Sequence, residues 1–372
     1  MSLEISRAQG IYLYTTDGKR FIDLVSGVSV SSVGHCHPKV VQAVQRQAER
    51  YMHLMVYGEY VQSPQVLLAQ KLCSMLPQNL QNVYFVNSGS EANEGAMKLA
   101  KRCTRRTEIV AFQNAYHGST QGALSVAGSE AWRQNFRPLL PDIRLLEFNS
   151  DAQLAQITER TACVVAEPIQ AEAGIRTPQN GFLQKLRKRC TDVGALLVFD
   201  EVQTGMGRTG SLFAFEKYSV APDILTVGKA FGGGMPLAAF IASRELMSAL
   251  ANPALGHITT FGGHPVSCAA GLAALEVMSE ENLPAQVEEK SRRFREKMLA
   301  HPLVKEVRGE GLLLAVELGN AEKVQQFFHN ALQLGVAVDW FLFCSTAFRI
   351  APPLTITHEE IDEVCKILQR CL

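Results

Sequence analysis

The stretch Ile224-Leu225-Thr226-Val227-Gly228-Lys229-Ala230-Phe231-Gly232-Gly233-Gly234-Met235-Pro236 decides the fold. Its apolar, partly β-branched start predicts a buried strand over 224–227, and the glycines after Lys229 predict a loop. One amine is therefore expected at the end of a buried strand. Burial would lower the pKa of such a lysine and leave a nucleophilic amine that can form a Schiff base. The alternative is a solvated lysine that begins a loop.

Strands and helices alternate along the first two thirds of the chain. Apolar runs predict buried strands over 83–86, 108–112, 162–166, 195–199, 224–227 and 237–242. Helices are predicted over 39–51, 65–75, 91–102 and 180–193. This alternation predicts an α/β fold in which a largely parallel sheet is covered by helices on both faces.

A smaller α+β unit is predicted for the rest of the chain. It has helices over 286–299, 321–334 and 358–371 and strands over 312–318, 336–340 and 347–350, with Thr357 and Glu360 spaced as a capping box. A hairpin around Asp17-Gly18 near the start of the chain is expected to join this unit. We therefore predict a large domain over 35–270 and a small domain formed by 1–34 and 271–372.

Polar residues stand where four of the predicted strands end: Asn87, Glu167, Asp200 and Lys229. Ligands of open α/β sheets bind outside the carboxyl ends of the strands. A single polar residue at a strand end can arise by chance, because strands must stop somewhere. An amide, two carboxylates and an amine together favour a binding site at this edge.

The segment Asn87-Ser88-Gly89-Ser90-Glu91 places a glycine and two hydroxyl groups at the start of a helix. Free backbone N–H groups and the helix dipole favour an anion such as phosphate there. Ser88 and Glu91 also have the spacing of a capping box, so an ordinary helix cap is the alternative.

Two glycine motifs resemble nucleotide-binding motifs, but the residues around them do not match what those motifs need. Residues 205–210 fit GxGxxG, yet they begin several residues after their strand, and the segment from Leu212 does not open a long helix. Gly228-Lys229 resembles the end of a P-loop, but Asp223 and Ala230 stand where that motif needs glycine and a hydroxyl residue. We therefore set aside dinucleotide and P-loop nucleotide binding.

The net charge, the length of the apolar runs and the cysteine count exclude several classes of partner. The formal net charge is +0, which favours neither nucleic acid nor an anionic membrane. No apolar run approaches the roughly eighteen residues that cross a bilayer, and the first residues lack the apolar core of a signal peptide, so we expect a soluble cytoplasmic protein. The nine cysteines form no CxxC pair. Cys36 lies between His35 and His37 without a second ligand pair, so we predict reduced thiols and no metal site.

Taken together, Lys229, Asp200, the helix-start anion site and the aromatic residue before His117 make the sequence resemble the class III aminotransferases, which use pyridoxal 5′-phosphate (PLP). The resemblance implies a fold-type I PLP-dependent transferase. It covers nearly the whole chain, because several separate motifs occur in family order. The segments that carry it are NSGSEANEGAMKLAKR (87–102), NAYHGST (114–120), EPIQAEAGI (167–175), LLVFDEVQTGMGRTG (196–210), PDILTVGKAFGGGMP (222–236), TTFGGHPVSCAA (259–270) and FRIAPPL (348–354).

The resemblance implies a role for each matching residue. Lys229 matches the Schiff-base lysine, which later moves the proton between donor carbon and cofactor. Asp200 matches the carboxylate that pairs with the pyridine nitrogen, and Thr260 matches a threonine that reaches the phosphate of the neighbouring subunit, which implies a homodimer with shared active sites. The remaining cofactor contacts implied are Gln203 at the phenolic oxygen, Tyr116 and Val202 on the two ring faces, Ser88, Gly89 and Ser90 at the phosphate, and His117 and Glu167.

Substrate contacts are also implied by the resemblance. Arg349 matches an arginine that binds the substrate's carboxylate through a bidentate pair. Glu172 matches a glutamate that pairs with this arginine in ornithine-type members, and an ordinary loop carboxylate is the alternative. The chain has Ser119 where acetylornithine-type members commonly carry arginine, and Ala171 where glycine is frequent. Members usually have a further segment before the hairpin, so we expect a shortened N-terminus in which residues 1–3 are a cloning remnant.

The resemblance therefore implies a PLP-dependent aminotransferase that moves an amino group from an amine or ω-amino acid to a 2-oxo acid, with 2-oxoglutarate as the expected acceptor. Small-molecule substrates and a second copy of the chain are the expected partners, and neither nucleic acid nor membrane is expected. An aminomutase or racemase of the same fold is one alternative, and a nicotinamide-dependent oxidoreductase built on residues 205–210 is another. A non-catalytic regulator would need a basic DNA-binding segment, and none is appended.

Overall fold

A computed structural model describes residues 3–372 of the chain. The predicted cloning remnant falls largely on Met1 and Ser2, which lie outside the described residues. The strands are β1 (Ile5–Gln9), β2 (Tyr12–Thr15), β3 (Arg20–Asp23), β4 (Asn82–Val86), β5 (Glu108–Phe112), β6 (Ile143–Leu146), β7 (Thr161–Ala166), β8 (Leu196–Asp200), β9 (Ile224–Val227), β10 (Ala238–Ala242), β11 (Glu306–Glu310), β12 (Leu313–Glu317), β13 (Val336–Ala337) and β14 (Ala347–Ile350).

Long helices separate these strands. They are α1 (Pro38–Arg50), α2 (Ser63–Ser74), α3 (Gly89–Thr104), α4 (Phe182–Val193), α5 (Pro265–Glu280), α6 (Leu283–Leu299), α7 (Ala321–Gln333) and α8 (His358–Cys371). Shorter helical segments lie at Ser26–Ser29, Gln121–Ser125, Glu130–Arg133, Ala214–Lys217 and Arg244–Ser248. None of the helices within residues 3–372 is both long and apolar enough to span a membrane. The predicted capping box of α8 is confirmed, because Thr357 and Glu360 bond reciprocally there.

The largest sheet has the strand order β4-β10-β9-β8-β7-β5-β6. Strands β9, β8, β7, β5 and β6 pair in parallel, which confirms the predicted α/β fold. Strand β10 is antiparallel to both of its neighbours. Only residues 228–237 connect it to β9, and a parallel crossover needs a dozen or more.

Both faces of this sheet are buried, as the continuous apolar strands predicted. Alternate residues of β8 pack into different clusters, because side chains point to opposite faces along a strand. Val198 packs in a cluster with Ala96 of α3, whereas Leu197 and Phe199 belong to the cluster that contains Leu186 of α4. The helices on the two faces therefore hold the carboxyl ends of the strands in a fixed row.

Two smaller sheets contain the beginning and the end of the chain. The predicted hairpin forms β2 and β3, and β13 joins β3 in parallel. Strands β11, β12 and β14 form the other sheet. Strand β11, which was not predicted, runs through Gly309 to Glu310. A Cβ atom at Gly309 would lie 2.1 Å from the Leu313 carbonyl oxygen, so glycine permits this close pairing of backbones.

Helix α5 was not recognised in the sequence, because it is buried on nearly all sides and has no polar face to produce an amphipathic pattern. The predicted domain boundary between residues 270 and 271 falls inside this continuous helix. The division into two domains stays a prediction. The predicted strand over 336–340 is shorter than expected, since Val336–Ala337 pairs with β3 and Asp339 forms only an isolated bridge to Arg349.

Candidate active site

A cavity of about 190 Å³ lies at the carboxyl ends of the strands of the large sheet. It contains three of the four polar strand-end residues predicted to form a site, Glu167, Asp200 and Lys229, while Asn87 lies beside it in the sequence. The residues that line it are Ser88, Gly89, Ser90, Asn93, Tyr116, His117, Gly118, Glu167, Asp200, Val202, Gln203, Thr204 and Lys229. All the predicted cofactor residues except Thr260 therefore meet in one place.

Lys229 lies two residues after the end of β9. Its φ of 49° is in the left-handed region, which is uncommon for a residue with a side chain and is found where the surrounding structure holds it. The Nζ atom donates a hydrogen bond to Oε1 of Gln203 at 3.1 Å. Burial lowers the pKa of Lys229, against the opposing effect of the Glu172 carboxylate. The neutral, nucleophilic amine is therefore favoured relative to a solvated lysine.

Asp200, the last residue of β8, is held by a buried hydrogen-bond network. Nδ1 of His117 lies 2.8 Å from Oδ2 of Asp200, and the amide of Asn93 donates to the same oxygen at 2.7 Å. Asn93 also donates to the His117 carbonyl at 2.8 Å and accepts from Thr226 at 2.9 Å. Burial alone would lower the pKa of His117, but the bond to Asp200 and its charge raise it. The network therefore favours a protonated His117 beside Asp200.

Glu167 follows β7 and connects two loops of the site. Its carboxylate accepts hydrogen bonds from the backbone N–H groups of Tyr116 at 3.0 Å and Ala171 at 2.9 Å. Burial raises the pKa of Glu167 to about 7, although the charge of His117 opposes this shift. The ring of Tyr116 and the loop that leads to Glu172 are thus tied to one carboxyl group.

The predicted anion site lies at the start of α3. Ser88 caps this helix by accepting from the Glu91 N–H at 3.2 Å. The reciprocal half of the predicted capping box is absent from this turn, because the Glu91 carboxylate binds the backbone N–H of Asn87 at 2.6 Å instead. The N–H groups of Gly89 and Ser90 begin the helix, where first-turn donors have no partner within it. These donors border the cavity and are suited to an anion.

Arg349 and Glu172 form a buried ion pair near Lys229, as the resemblance implied for ornithine-type members. Nη2 of Arg349 lies 2.7 Å from both carboxylate oxygens of Glu172. The guanidinium carbon lies 4.7 Å from the centre of the Phe341 ring. The Nε and Nη1 atoms of Arg349 are buried and have no hydrogen-bond partner within residues 3–372. The ion pair is therefore formed, but two of the three guanidinium nitrogen atoms of Arg349 do not take part in a hydrogen bond.

Two other predicted features lie apart from the cavity. Thr260 is exposed, and its hydroxyl lies 3.3 Å from that of Tyr57. Ser119, the position where arginine was expected in acetylornithine-type members, has its hydroxyl 3.1 Å from that of Tyr116. Neither residue contributes a charge to the site.

Sequence reasoning missed three residues of the site. Asn93 and Thr226 complete the Asp200 network, and Asp339 is a second carboxylate beside Arg349, with its Oδ2 atom 3.7 Å from Nη1. Asn93 could have been found, because it is a polar residue one turn after Gly89 on a face of α3 that is otherwise apolar and small. Asp339 has no comparable signal in the sequence.

The groups around the cavity fit PLP. Two buried polar atoms there, Nε2 of His117 and Nε2 of Gln203, have no hydrogen-bond partner among the described residues. An amine, a charged carboxylate, a flat aromatic ring and a helix start suit an aldehyde, a protonated pyridine nitrogen, a stacked ring and a phosphate respectively. The fold and this site together define a fold-type I, PLP-dependent transferase.

Comparison with known proteins gives the family. The family model "Aminotransferase class-III" matches residues 1–372. The acetylornithine aminotransferase of Methanopyrus kandleri is 41% identical over 357 residues, 95% of this chain and 90% of that protein. The ornithine aminotransferase structure from Toxoplasma gondii has a TM-score of 0.93 at 30% identity, covering 100% of this chain and 90% of that one. An omega transaminase from Pseudomonas jessenii in complex with PMP has a TM-score of 0.93 at 26% identity, covering 100% and 92%.

The chain belongs to the class III aminotransferases. It is a PLP-dependent enzyme that transfers an amino group between an amino donor and a 2-oxo acid. The alternative of a nicotinamide-dependent oxidoreductase is wrong, and the structure supplies the reason. Residues 205–210 form turns that lead only to the four-residue helix Ala214–Lys217, so they lack the long helix that a dinucleotide site requires.

Proposed function

We propose that this enzyme moves the amino group of an ω-amino donor to 2-oxoglutarate. The buried pair of Arg349 and Glu172 beside Lys229 is the observation that carries the proposal. With the pair closed, the arginine is neutralised, so the site accepts an amine that has no carboxylate next to it. With Glu172 withdrawn, Arg349 can bind the α-carboxylate of glutamate or 2-oxoglutarate through two parallel hydrogen bonds. The names of the acetylornithine and ornithine aminotransferases support this, because both substrates carry an ω-amino group.

We assign the cofactor contacts by the groups that each residue offers. Lys229 would hold PLP through Nζ, Asp200 would face the pyridine nitrogen and Gln203 the phenolic oxygen. The ring would lie between Tyr116 and Val202. The remaining contacts would be Ser88, Gly89 and Ser90 at the phosphate, together with His117 and Glu167. When bound, PLP supplies an electron sink for the carbon that loses its proton.

The residues of the chain would then position and move the proton. His117 and Asn93 both bond to Asp200 and fix its carboxylate, which would hold a proton on the pyridine nitrogen that faces it. Lys229, whose pKa is lowered by burial, can accept a proton at Nζ from the donor carbon and return it to the neighbouring atom. The left-handed backbone at Lys229 and its bond to Gln203 fix the position from which Nζ acts.

The test separates the two substrate classes. The wild-type enzyme loaded with PLP is mixed with glutamate or with ornithine, without an acceptor, and the visible absorption band of the cofactor is followed. Both donors are expected to change the band. In Glu172→Gln the apparent KM for glutamate is expected to fall about tenfold, because Arg349 no longer has a charged partner to release. The KM for ornithine is expected not to fall.

Glu296→Gln, on the exposed face of α6, makes the same chemical change away from the site and serves as the control. A wild-type band that glutamate leaves unchanged would contradict the proposal. Equal effects of Glu172→Gln on the two donors would contradict the role of the ion pair.

We also propose a homodimer in which Thr260 reaches the cofactor phosphate of the neighbouring subunit. Large apolar side chains are exposed in two segments that touch each other, since the rings of His53 and Phe261 lie 4.8 Å apart. Contiguous exposed apolar surface of this kind marks an interface. The exposed side chains are Met52, Leu54, Met55, Tyr60, Val61, Val66, Leu67, Leu255, Ile258 and Phe261.

The dimer is tested by sedimentation. Val61 is 91% exposed, and Val61→Asp is expected to yield monomers and to weaken PLP retention during dialysis. Leu299→Asp changes an exposed apolar residue of α6 and is the matched control. A wild-type protein that sediments as a monomer would overturn this part of the proposal.

A cytoplasmic location is proposed as well. All nine cysteines are free thiols, and five of them are buried. Cysteines without disulfides are typical of a reducing compartment. Fractionation of cells that produce the protein, with a periplasmic or organellar marker enzyme as reference, tests this location.

A further inference from the structure

Asp339 is a carboxylate whose position does not depend on Glu172. Its backbone carbonyl accepts a hydrogen bond from the Arg349 N–H at 2.8 Å, and its Oδ1 atom accepts from the Trp340 N–H at 2.9 Å. The other oxygen, Oδ2, lies 3.7 Å from Nη1 of Arg349, on a different nitrogen from the one that binds Glu172. Arg349 therefore stands between two carboxylates, and only one of them forms close hydrogen bonds with it.

The charges around Arg349 do not balance. Glu172 and Asp339 each bring one negative charge, and Arg349 brings one positive charge. Among the described residues, Lys229 is the other cation whose charge acts on Asp339. Lys229 is the proposed reacting amine, so it cannot also serve as a fixed counter-charge. One carboxylate of the site is thus left without a cation of its own.

Asp339 is the member of this group that a ligand can reach. The side chains of Arg349 and Glu172 are 1% and 8% exposed, whereas that of Asp339 is 22% exposed. Burial raises the pKa of Asp339 even though Arg349 opposes the shift, as expected for a carboxylate whose negative charge is only partly compensated. A cation brought by the substrate would compensate it.

We propose that Asp339 binds a second, non-reacting ammonium group of the amino donor. The donor is then a diamine or a diamino acid with a free second amine, and an N-acylated donor lacks the group that Asp339 binds. The inference rests on the proposed function, since it names the donor class of the same site. The charge count supports it, because Glu172 and Asp339 bring two carboxylates to the single guanidinium group of Arg349.

Ornithine and N2-acetylornithine form a matched pair of probes, because they differ at the non-reacting nitrogen, which is charged in one and neutral in the other. The wild-type enzyme is expected to have the higher kcat/KM for ornithine. Asp339→Asn keeps an oxygen for the Trp340 N–H and removes the charge. It is expected to lower the ratio of kcat/KM for ornithine to that for N2-acetylornithine about tenfold, the loss typical of one hydrogen bond to a charged group.

Binding without turnover provides the second readout. The enzyme is loaded with pyridoxamine phosphate, which does not react with amines, and titrated calorimetrically with 1,4-diaminobutane. The Kd is expected to rise about tenfold in Asp339→Asn. Asp192→Asn removes a charge from the exposed face of α4 and is expected to leave the Kd unchanged.

The outcomes separate this inference from the proposed function. If glutamate changes the cofactor band but Asp339→Asn leaves both the donor ratio and the Kd unaltered, Asp339 does not bind the donor. A wild-type preference for N2-acetylornithine would also overturn the inference. If glutamate leaves the cofactor band unchanged, the proposed function itself fails, whatever the Asp339 variant does.

Discussion

Asp200 and Glu172 are both buried carboxylates with a cationic partner, but their surroundings differ. Asp200 accepts from His117, from Asn93 and from the backbone N–H of Val202 at 3.0 Å. Glu172 places both side-chain oxygens on one nitrogen of Arg349, whose Nε and Nη1 atoms remain without hydrogen bonds. Both oxygens of Asp200 therefore accept from this chain, whereas Arg349, the partner of Glu172, keeps two nitrogen atoms available for another acceptor.

This difference separates two sides of the site. Asp200 belongs to the cofactor side, where the contacts are fixed, and Arg349 belongs to the substrate side, where one carboxylate can be exchanged for another. A buried carboxylate that is held by three separate donors is costly to move and keeps one geometry. A buried arginine with unused donors gains from exchanging one carboxylate for another, because the incoming group can satisfy what the resident one does not. We therefore expect the hydrogen bonds of Asp200 to persist during the reaction. Arg349 is expected to exchange Glu172 for a substrate carboxylate.

The largest effect is expected from Lys229→Ala, which breaks the cofactor side of the comparison. The variant loses the amine that holds the cofactor and moves the proton. The rate of amino transfer from glutamate should fall at least on the order of 10³-fold, within the range that a positioned acid–base group supplies. Stopped-flow absorption measures the rate, with Lys188→Ala on the exposed face of α4 as control. A fall of less than tenfold would remove Lys229 from the mechanism.

Glu201 is a third buried carboxylate and extends the comparison, because its hydrogen bonds come from neutral donors. Glu201 accepts from the Thr204 hydroxyl at 2.6 Å and from the backbone N–H groups of Ala214 and Phe215 at 2.9 and 2.7 Å. Burial raises the pKa of Glu201 from 4.5 to about 7. The fold therefore favours the protonated form, and this contribution to stability is complete below pH 4.5 and is lost as the pH rises through 7.

The loss amounts to roughly 3 kcal/mol in the free energy of unfolding, at 1.36 kcal/mol for each pKa unit. Glu201→Gln cannot ionise, so its stability relative to wild type should improve by that amount between pH 4.5 and 8. Urea unfolding of both proteins at the two pH values measures it. A stability difference that does not vary with pH would show that Glu201 has the same pKa in the folded and unfolded chain.

Arg349→Lys tests the substrate side of the site, where Arg349 exchanges one carboxylate for another. Lysine keeps the charge but cannot form two parallel hydrogen bonds with a carboxylate. The KM for glutamate should rise about 10- to 100-fold, the value of one or two bonds to a charged group, while the PLP content stays that of wild type. Steady-state kinetics at saturating acceptor gives the KM. An equal loss of bound PLP would place Arg349 on the cofactor side instead.

The smallest effect is expected from Tyr116→Phe. Its hydroxyl bonds only to Ser119 at the partly exposed end of the ring, whereas the ring itself borders the cavity. Removing the hydroxyl should change kcat/KM for glutamate less than about threefold, since an exposed neutral bond contributes little. Tyr116→Ser, which removes the ring, should cost more. Equal losses in the two variants would assign the contribution of Tyr116 to its hydroxyl.

Much of the cofactor edge could be predicted because its signals are local. Strand β9 and the loop after it stand in one uninterrupted stretch, and the helix start at Ser88 and the carboxylate at Asp200 each follow their own apolar run. Parallel strands bring their carboxyl ends to one edge, so the order of elements alone predicts that these residues meet. The strand β10 was predicted, but its antiparallel direction was not. The buried helix α5 escaped this reasoning, because it leaves no periodic pattern of its own.

The sequence by itself determined the α/β fold, the edge at which the site lies and the identity of its amine and its carboxylate. Tertiary structure alone decided how the groups are bonded. Glu172 and Arg349 meet across 177 positions of the chain, and Asn93 reaches Asp200 across 107. Asp339 stands beside Arg349 because their backbones pair at an isolated bridge. Contacts between such distant positions depend on how the elements pack, and no local pattern of residues records them.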